Sequence, residues 1–258
     1  MFKNQNLHYW INKSERANIA QKHTIDMEKN YSDKIQICVR ETKLYDSKSL
    51  FHLPSKIDMK IDILDLDSVS AIFSNSKGKT AVLNFASYKN PGGMFLKGSK
   101  AQEECLCHES FLYNVLKEQS TYYNWNNQHK NKALYLNRAL YSPNILFMKN
   151  QTEMNCNVIT CAAPNKTAAQ KYCNISDTEN KQILESRIDF VLKFAADNQV
   201  DTIILGAFGC GVFGQDAKDV AESFKKYLEK YHCFKYVIFA IPNSKDQNLK
   251  KFKEVFKL

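Results

Sequence analysis

Two adjacent carboxylates, Glu103 and Glu104, follow the glycine pair Gly92-Gly93 by about ten residues, in the segment NFASYKNPGGMFLKGSKAQEE from Asn84 to Glu104. Carboxyl groups placed side by side can pass a proton to a substrate and hold its hydroxyl groups. A glycine loop lets the backbone come close to a polar ligand, and a helix start favours an anion such as a phosphate. The acids also fit the first turn of a helix for a simpler reason, because they complement its dipole. A second glycine-rich turn, Gly206 to Gly214, follows the apolar run Thr202 to Leu205 and precedes a helix opening at Asp216. A strand that feeds such a turn and then a helix aims backbone N–H groups at one point, which suits a pyrophosphate. Gly209-Cys210-Gly211 lies too late in the chain, without a suitably placed acid, to be a dinucleotide fingerprint.

The elements that must carry these loops can be read from periodicity. Ile57, Met59, Ile61 and Ile63 alternate with polar residues up to Asp65 and Asp67, as in a half-buried strand. Ala81 to Ala86, Val158 to Ala163, Thr202 to Ala207 and Tyr236 to Ile241 are compact and apolar, as buried parallel strands are. Ala133 to Leu140 and Ile145 to Met148 are weaker strand candidates. Helical spacing predicts helices over Glu103 to Lys117, Asp177 to Asn198, Asp216 to Tyr231 and Asp246 to Leu258. Residues 1 to 50 are polar and helix-leaning without a strong strand signal, with one or two amphipathic helices expected over Lys3 to Lys29. Strands that alternate with helices predict a three-layer α/β/α domain with a mixed, largely parallel sheet. The expected division is a helical extension over 1–50 packed on an α/β domain over 51–258.

Bulk properties narrow the function classes. The 258 residues are 44% hydrophobic and 24% charged, enough to bury a sizeable core. Lysine and arginine exceed aspartate and glutamate by 36 to 27, a net charge of +9. That balance suits a polyanionic partner or, more plainly, a lysine-rich solvated surface. No apolar run approaches the roughly 20 residues that span a membrane, and the N-terminus lacks a signal-peptide core. The eight cysteines are scattered, and Cys105-Leu106-Cys107 lacks the two-residue gap of a metal or redox knuckle. Reduced thiols in an intracellular, cytoplasmic setting are expected (nuclear in a eukaryote).

Several other side chains invite a role and have a plainer one. His108 stands four residues after Glu104, so the two can share a helix face, but it reads as an ordinary helix histidine. Cys105 and Cys107 have no base at convincing spacing and read as packing. Tyr122, Tyr123 and Trp125 are read as packing rather than base stacking. Lys245, Lys250, Lys251, Lys253 and Lys257 make a solvated face that can also steer a polyanion.

Taken together, these segments resemble the microbial-type poly(ADP-ribose) glycohydrolases, which are macrodomain-like. That family's signature is a glycine triplet, a gap of six to eight residues and Gln-Glu-Glu. Here it reads Gly92-Gly93-Met94, seven residues, and Gln102-Glu103-Glu104. NFAS, NPGG, LCHES and LYNVL also look like the family, as do Tyr141 to Asn144, Ile159 to Asn165 and Gly206 to Gly214. The resemblance implies that Glu104 is the catalytic acid and Glu103 a holder of ribose hydroxyls. It implies ligand contacts from Asn84, Asn90, Gly92, Gly93 and Gln102, a diphosphate lined by Gly209, Gly211 and Val212, and a terminal ribose packed on Phe213. Asp67 would accept from the adenine amino group. Met94 replaces the third glycine, which would strain the loop if that position required a positive φ. The implied reaction cleaves a ribose–ribose O-glycosidic bond and releases ADP-ribose without metal or cofactor. The implied partners are poly(ADP-ribose) or ADP-ribosylated protein or nucleic acid, with no membrane and a monomer as the default. Three other readings remain open: a hydrolase of mono-ADP-ribosylated macromolecules, a non-catalytic ADP-ribose reader using the same pocket, and a nucleic-acid binder driven by net charge.

Overall fold

A computed structural model describes residues 12–258. The beginning of the helical stretch expected from Lys3, and the first part of the N-terminus read as lacking a signal-peptide core, lie outside these residues. Helix α1 (Lys13–Glu41) is capped by Asn12, whose side chain accepts from the Glu15 N–H. Strand β1 (Lys43–Asp46), strand β2 (Lys60–Leu64), helix α2 (Ser68–Asn75) and strand β3 (Thr80–Phe85) follow. Next come the short helices α3 (Gln102–His108), α4 (Leu112–Leu116) and α5 (Ser120–Gln128), then strands β4 (Arg138–Lys149) and β5 (Thr152–Cys161). The chain ends with α6 (Lys166–Cys173), α7 (Asp177–Asp197), β6 (Thr202–Leu205), α8 (Ala217–Tyr231), β7 (Tyr236–Ala240) and α9 (Asn248–Phe256).

Among the described residues the seven strands form one sheet in the order β1-β4-β5-β3-β6-β7-β2. The pairs β5-β3, β3-β6, β6-β7 and β7-β2 are parallel, and β1-β4 and β4-β5 are antiparallel. The period of two explains why helices cover both faces. Ala81 and Leu83 of β3, Ile203 and Leu205 of β6, and Val237 and Phe239 of β7 join the apolar cluster under α7, α8 and α9. The intervening Val82, Ile204 and Ile238 join the opposite cluster, with Met27 of α1, Ile72 of α2, Leu106 of α3 and Val115 of α4. Full burial of each large apolar side chain is worth about 1.5–3 kcal/mol. The expected three-layer architecture is therefore the one observed.

Several elements differ from the sequence reading. The predicted helix over Glu103 to Lys117 breaks between α3 and α4. Ser110 Oγ accepts from the Leu112 N–H and donates to the Leu106 carbonyl, and Ser110 bridges Phe147 of β4. Serine competes with the helix for its backbone groups here. Residues 43–46, read without a strand signal, form an edge strand, and the strand candidate starting at Ala133 begins only at Arg138. Between Asn131 and Tyr135 four residues have φ from 43° to 66°, which no β-strand accommodates.

Candidate active site

The parallel strands β3 and β6 are neighbours, so the loops that leave their carboxyl ends lie at the same end of the sheet. Ligands of open α/β sheets bind at such ends. The first loop bends through Gly92 at φ 63° and Gly93 at φ 62° and returns through a 3-10 turn at Phe95–Lys97 into α3. The second bends at Gly209 (φ 79°) and Gly214 (φ 70°) before Asp216 caps α8. Phe85 and Phe208 meet at 5.7 Å between ring centres where the two loops begin.

Glu103 and Glu104 open α3 and are both buried, at 3% and 5% exposure. Each is gripped by the loop. Glu103 accepts from Asn84 Nδ2 at 3.2 Å and from the Ser87 N–H at 2.7 Å. Glu104 accepts from the Met94 N–H at 2.8 Å and from the N–H of Ala101, its own helix cap, at 2.9 Å. Both carboxylates converge on Gly93. A Cβ there would lie 2.5 Å from Glu104 Oε1 and 2.9 Å from Glu103 Oε2. Only a bare Cα fits between the acids and the loop. Gly92 is similarly closed off, since a Cβ would meet the Tyr113 ring at 2.7 Å. Asn90 is exposed at the bend, and its carbonyl accepts the Gly93 N–H at 3.1 Å.

Burial pushes the Glu103 carboxyl up to about 8, and the charge of Glu104 adds to the rise, against the hydrogen bonds from Ser87 and Asn84. Asn84 is completely buried and also donates to Thr160 Oγ1 at 3.4 Å, while its Oδ1 has no partner. Met94 has φ −112° and ψ 32°, so the position held by the family's third glycine does not need a left-handed backbone here. Its N–H makes the contact to Glu104, and its side chain is partly exposed.

Gln102 has a structural task as well as a place in the cleft. Its Oε1 accepts from the Phe85 N–H at 2.8 Å, and its Nε2 donates to the Leu83 carbonyl at 2.9 Å and to Ser68 Oγ at 3.0 Å. The side chain thus ties the first residue of α3 to the end of β3. Gln102, Asp67, Phe85, Ala207 and Ile241 line a cavity of about 290 Å³ at this end of the sheet. Asp67 is the cap of α2 and accepts from both the N–H and the hydroxyl of Ser70. In the second loop Val212 is 86% exposed, Gly211 borders open space, and Phe213 is half-buried.

His108 is buried and lies edge-on to Phe95 at 4.7 Å between ring centres. Cys107 is fully buried, and burial holds its thiol well above the ordinary range. Tyr122 and Tyr123 are core residues of α5. Among the described residues no group of three or more His, Cys, Asp or Glu could hold a metal ion, and no helix is long and apolar enough to cross a membrane. Two contributors escaped the sequence reading: Tyr135, against both loops, and Arg187, which donates to the Leu134 carbonyl next to it.

Residues 10–150, more than half of the chain, match the family described as microbial-type PARG, catalytic domain. The chain belongs to this family. Its fold is similar to that of poly(ADP-ribose) glycohydrolase from Thermomonospora curvata, at 27% identity and a TM-score of 0.85, covering 94% of this chain and 100% of that one. The same enzyme bound to the inhibitor ADP-HPD gives 26% identity and a TM-score of 0.81, over 93% and 99% of the two chains. The enzyme from Deinococcus radiodurans in complex with ADP-ribose gives 28% identity and a TM-score of 0.76, over 86% and 97%. No curated protein matches the sequence. The family match begins at residue 10, so α1 falls within the region the family shares.

Proposed function

We propose that this protein is a poly(ADP-ribose) glycohydrolase in which Glu104 is the general acid and base. The observation that carries the assignment is the convergence of both signature carboxylates on the bare Cα of Gly93, in a chain of this family. A pair that meets at one point cannot stand on opposite faces of a glycosidic bond, as standard inverting or retaining pairs do. One carboxyl must therefore serve both steps. Glu104 protonates the leaving ribose oxygen and then takes a proton from the water that attacks C1″.

Glu103 holds the hydroxyls of the same ribose. Its raised pKa keeps it a hydrogen-bond donor at neutral pH, so it can donate to a ribose oxygen as well as accept. That same property favours a second reading, in which Glu103 supplies the leaving-group proton; Glu103→Gln and Glu104→Gln separate the two. Gly209, Gly211 and Val212 receive the diphosphate, and Phe213 the terminal ribose. Asp67, Gln102 and Ile241 wall the adenosine end, in support of which their cavity opens beside the acid pair's helix. Asn84, Asn90, Gly92 and Gly93 shape the ribose side.

The same reading takes the domain to be a macrodomain relative acting inside the cell as a monomer on poly(ADP-ribose) or ADP-ribosylated protein or nucleic acid. The described part of the expected 1–50 extension, residues 12–50, serves as cover for a catalytic domain over 51–258. In support, Asn114 of α4 donates to the Thr24 carbonyl of α1, and all eight cysteines are free.

The test is incubation with poly(ADP-ribose) and with mono-ADP-ribosylated protein, wild type against Glu104→Ala. Release of ADP-ribose by the wild type alone supports the hydrolase. Binding without release by both supports a reader. Salt-sensitive binding of nucleic acid, indifferent to ADP-ribose, supports the third reading.

A further inference from the structure

The two ligand loops meet at their bases through Phe85 and Phe208, and further out a third segment joins them. Tyr135 stacks on Tyr88 of the first loop, with ring centres 4.1 Å apart and planes 11° from parallel. The same ring meets Phe213 of the second loop in an edge-type contact at 6.0 Å. Tyr88 and Tyr135 are nearly sealed from solvent, at 1% and 6% exposure, and pack together with Ala162 at the end of β5.

The backbone that places Tyr135 is unusual. Asn131, Lys132, Ala133 and Tyr135 all have positive φ, although none is glycine. Left-handed backbone on such residues persists only when its surroundings hold it, and it concentrates at functional sites. The holding contacts are visible. The Asn131 amide donates to the Tyr135 carbonyl at 3.0 Å, and the Asn165 N–H donates to the Ala133 carbonyl at 3.0 Å.

Beneath lies Arg187 of α7, a completely buried guanidinium with no acidic partner among the described residues. It donates to Asn137 Oδ1 at 2.7 Å, to the Leu134 carbonyl at 3.4 Å and to the Ala162 carbonyl. A buried charge is costly unless hydrogen bonds satisfy it, and these three acceptors lie around Tyr135. Lysine could not reach all three in that fork.

We propose that Tyr135, held in place by Arg187, is a positioning residue that sets Phe213 relative to the Glu103–Glu104 loop. It thereby fixes where the terminal ribose stands against the acids. The proposal rests on the hydrolase reading for its catalytic consequence but not for its structural one. Tyr135 touches no reacting atom. It acts through its ring contacts with Tyr88 and Phe213.

The experiment compares wild type with Tyr135→Leu and Tyr135→Phe in two ways. Hydrogen exchange followed by mass spectrometry needs no substrate. Peptides from both loops, around 86–95 and 206–216, should exchange at least tenfold faster in Tyr135→Leu, while peptides of β7 and α8 stay unchanged. Tyr135→Phe, which keeps the ring, should restore slow exchange. With poly(ADP-ribose), Tyr135→Leu should lose at least tenfold in kcat with KM within about threefold. Arg187→Lys should show the same loop signature with a larger loss of stability. The Tyr135 pair decides the matter if the arginine variant fails to fold. Wild-type exchange in both loops of Tyr135→Leu overturns the proposal, as does acceleration of every peptide alike. An inactive wild type would refute the hydrolase reading, and loop exchange alone would then decide whether Tyr135 positions the two loops.

Discussion

Gly93 and Glu104 are packed so closely that a methyl group on Gly93 would stand 2.5 Å from Glu104 Oε1. The glycine also sits at φ 62°, where an L side chain is strained. Gly93→Ala should therefore cost about 1–3 kcal/mol and displace the acid pair. Thermal unfolding and turnover should fall together, with at least a tenfold loss of kcat. A variant with wild-type melting and turnover would contradict this packing.

Met94 should be indifferent where Gly93 is not. The loop uses the Met94 N–H at ordinary negative φ, so restoring the family's glycine supplies nothing new. Met94→Gly should lower stability by about 0.5–1 kcal/mol through chain entropy and change kcat by less than about threefold. A large gain in activity would show that the methionine side chain obstructs the site.

Gln102 binds α3 to the end of β3 through two hydrogen bonds and to Ser68 of α2 through a third. Gln102→Ala leaves the Phe85 N–H and the Leu83 carbonyl without these partners, at a cost of about 1–3 kcal/mol. Gln102→Glu keeps an acceptor for Phe85 but sets a carboxylate oxygen against the Leu83 carbonyl, and should be worse. Urea denaturation ranks the three proteins. Equal midpoints would reduce Gln102 to a lining residue.

Much of this site was legible in the sequence because its signals are local. The glycine pair, the acid pair and the apolar run before them lie within about twenty-five residues, and each restricts the backbone where it stands. The β6 loop is legible for the same reason. Tyr135 and Arg187 were not, because their meaning comes from Tyr88, Ala162 and Phe213, which only the fold brings together. Edge strand β1 has four residues with no buried side, so no alternation marks it. The break at Ser110 was hidden because serine at one position does not outweigh helical spacing over fifteen. Asp67 reads as a strand-end acid but also caps α2, a helix the periodicity did not reveal.

Glu103 makes stability depend on pH. Burial raises its carboxyl from 4.5 to about 8, so between those values the folded chain holds a proton that the unfolded chain has released. Its contribution to stability is greatest below about 4.5 and is lost as pH rises through about 8. Glu103→Gln cannot ionise and escapes this loss. From about pH 5 to pH 9 the variant should gain on the wild type by about 1 kcal/mol or more, measured by urea denaturation. Parallel stability curves would contradict the burial argument.

The central claim is that Glu104 moves the proton. Single-turnover release of ADP-ribose from poly(ADP-ribose) by Glu104→Gln, with the Kd for ADP-ribose measured on the same sample, tests it most directly. The account predicts release slowed by about a hundredfold or more, with Kd within about tenfold of wild type. Release near the wild-type rate from a variant that still binds would contradict it.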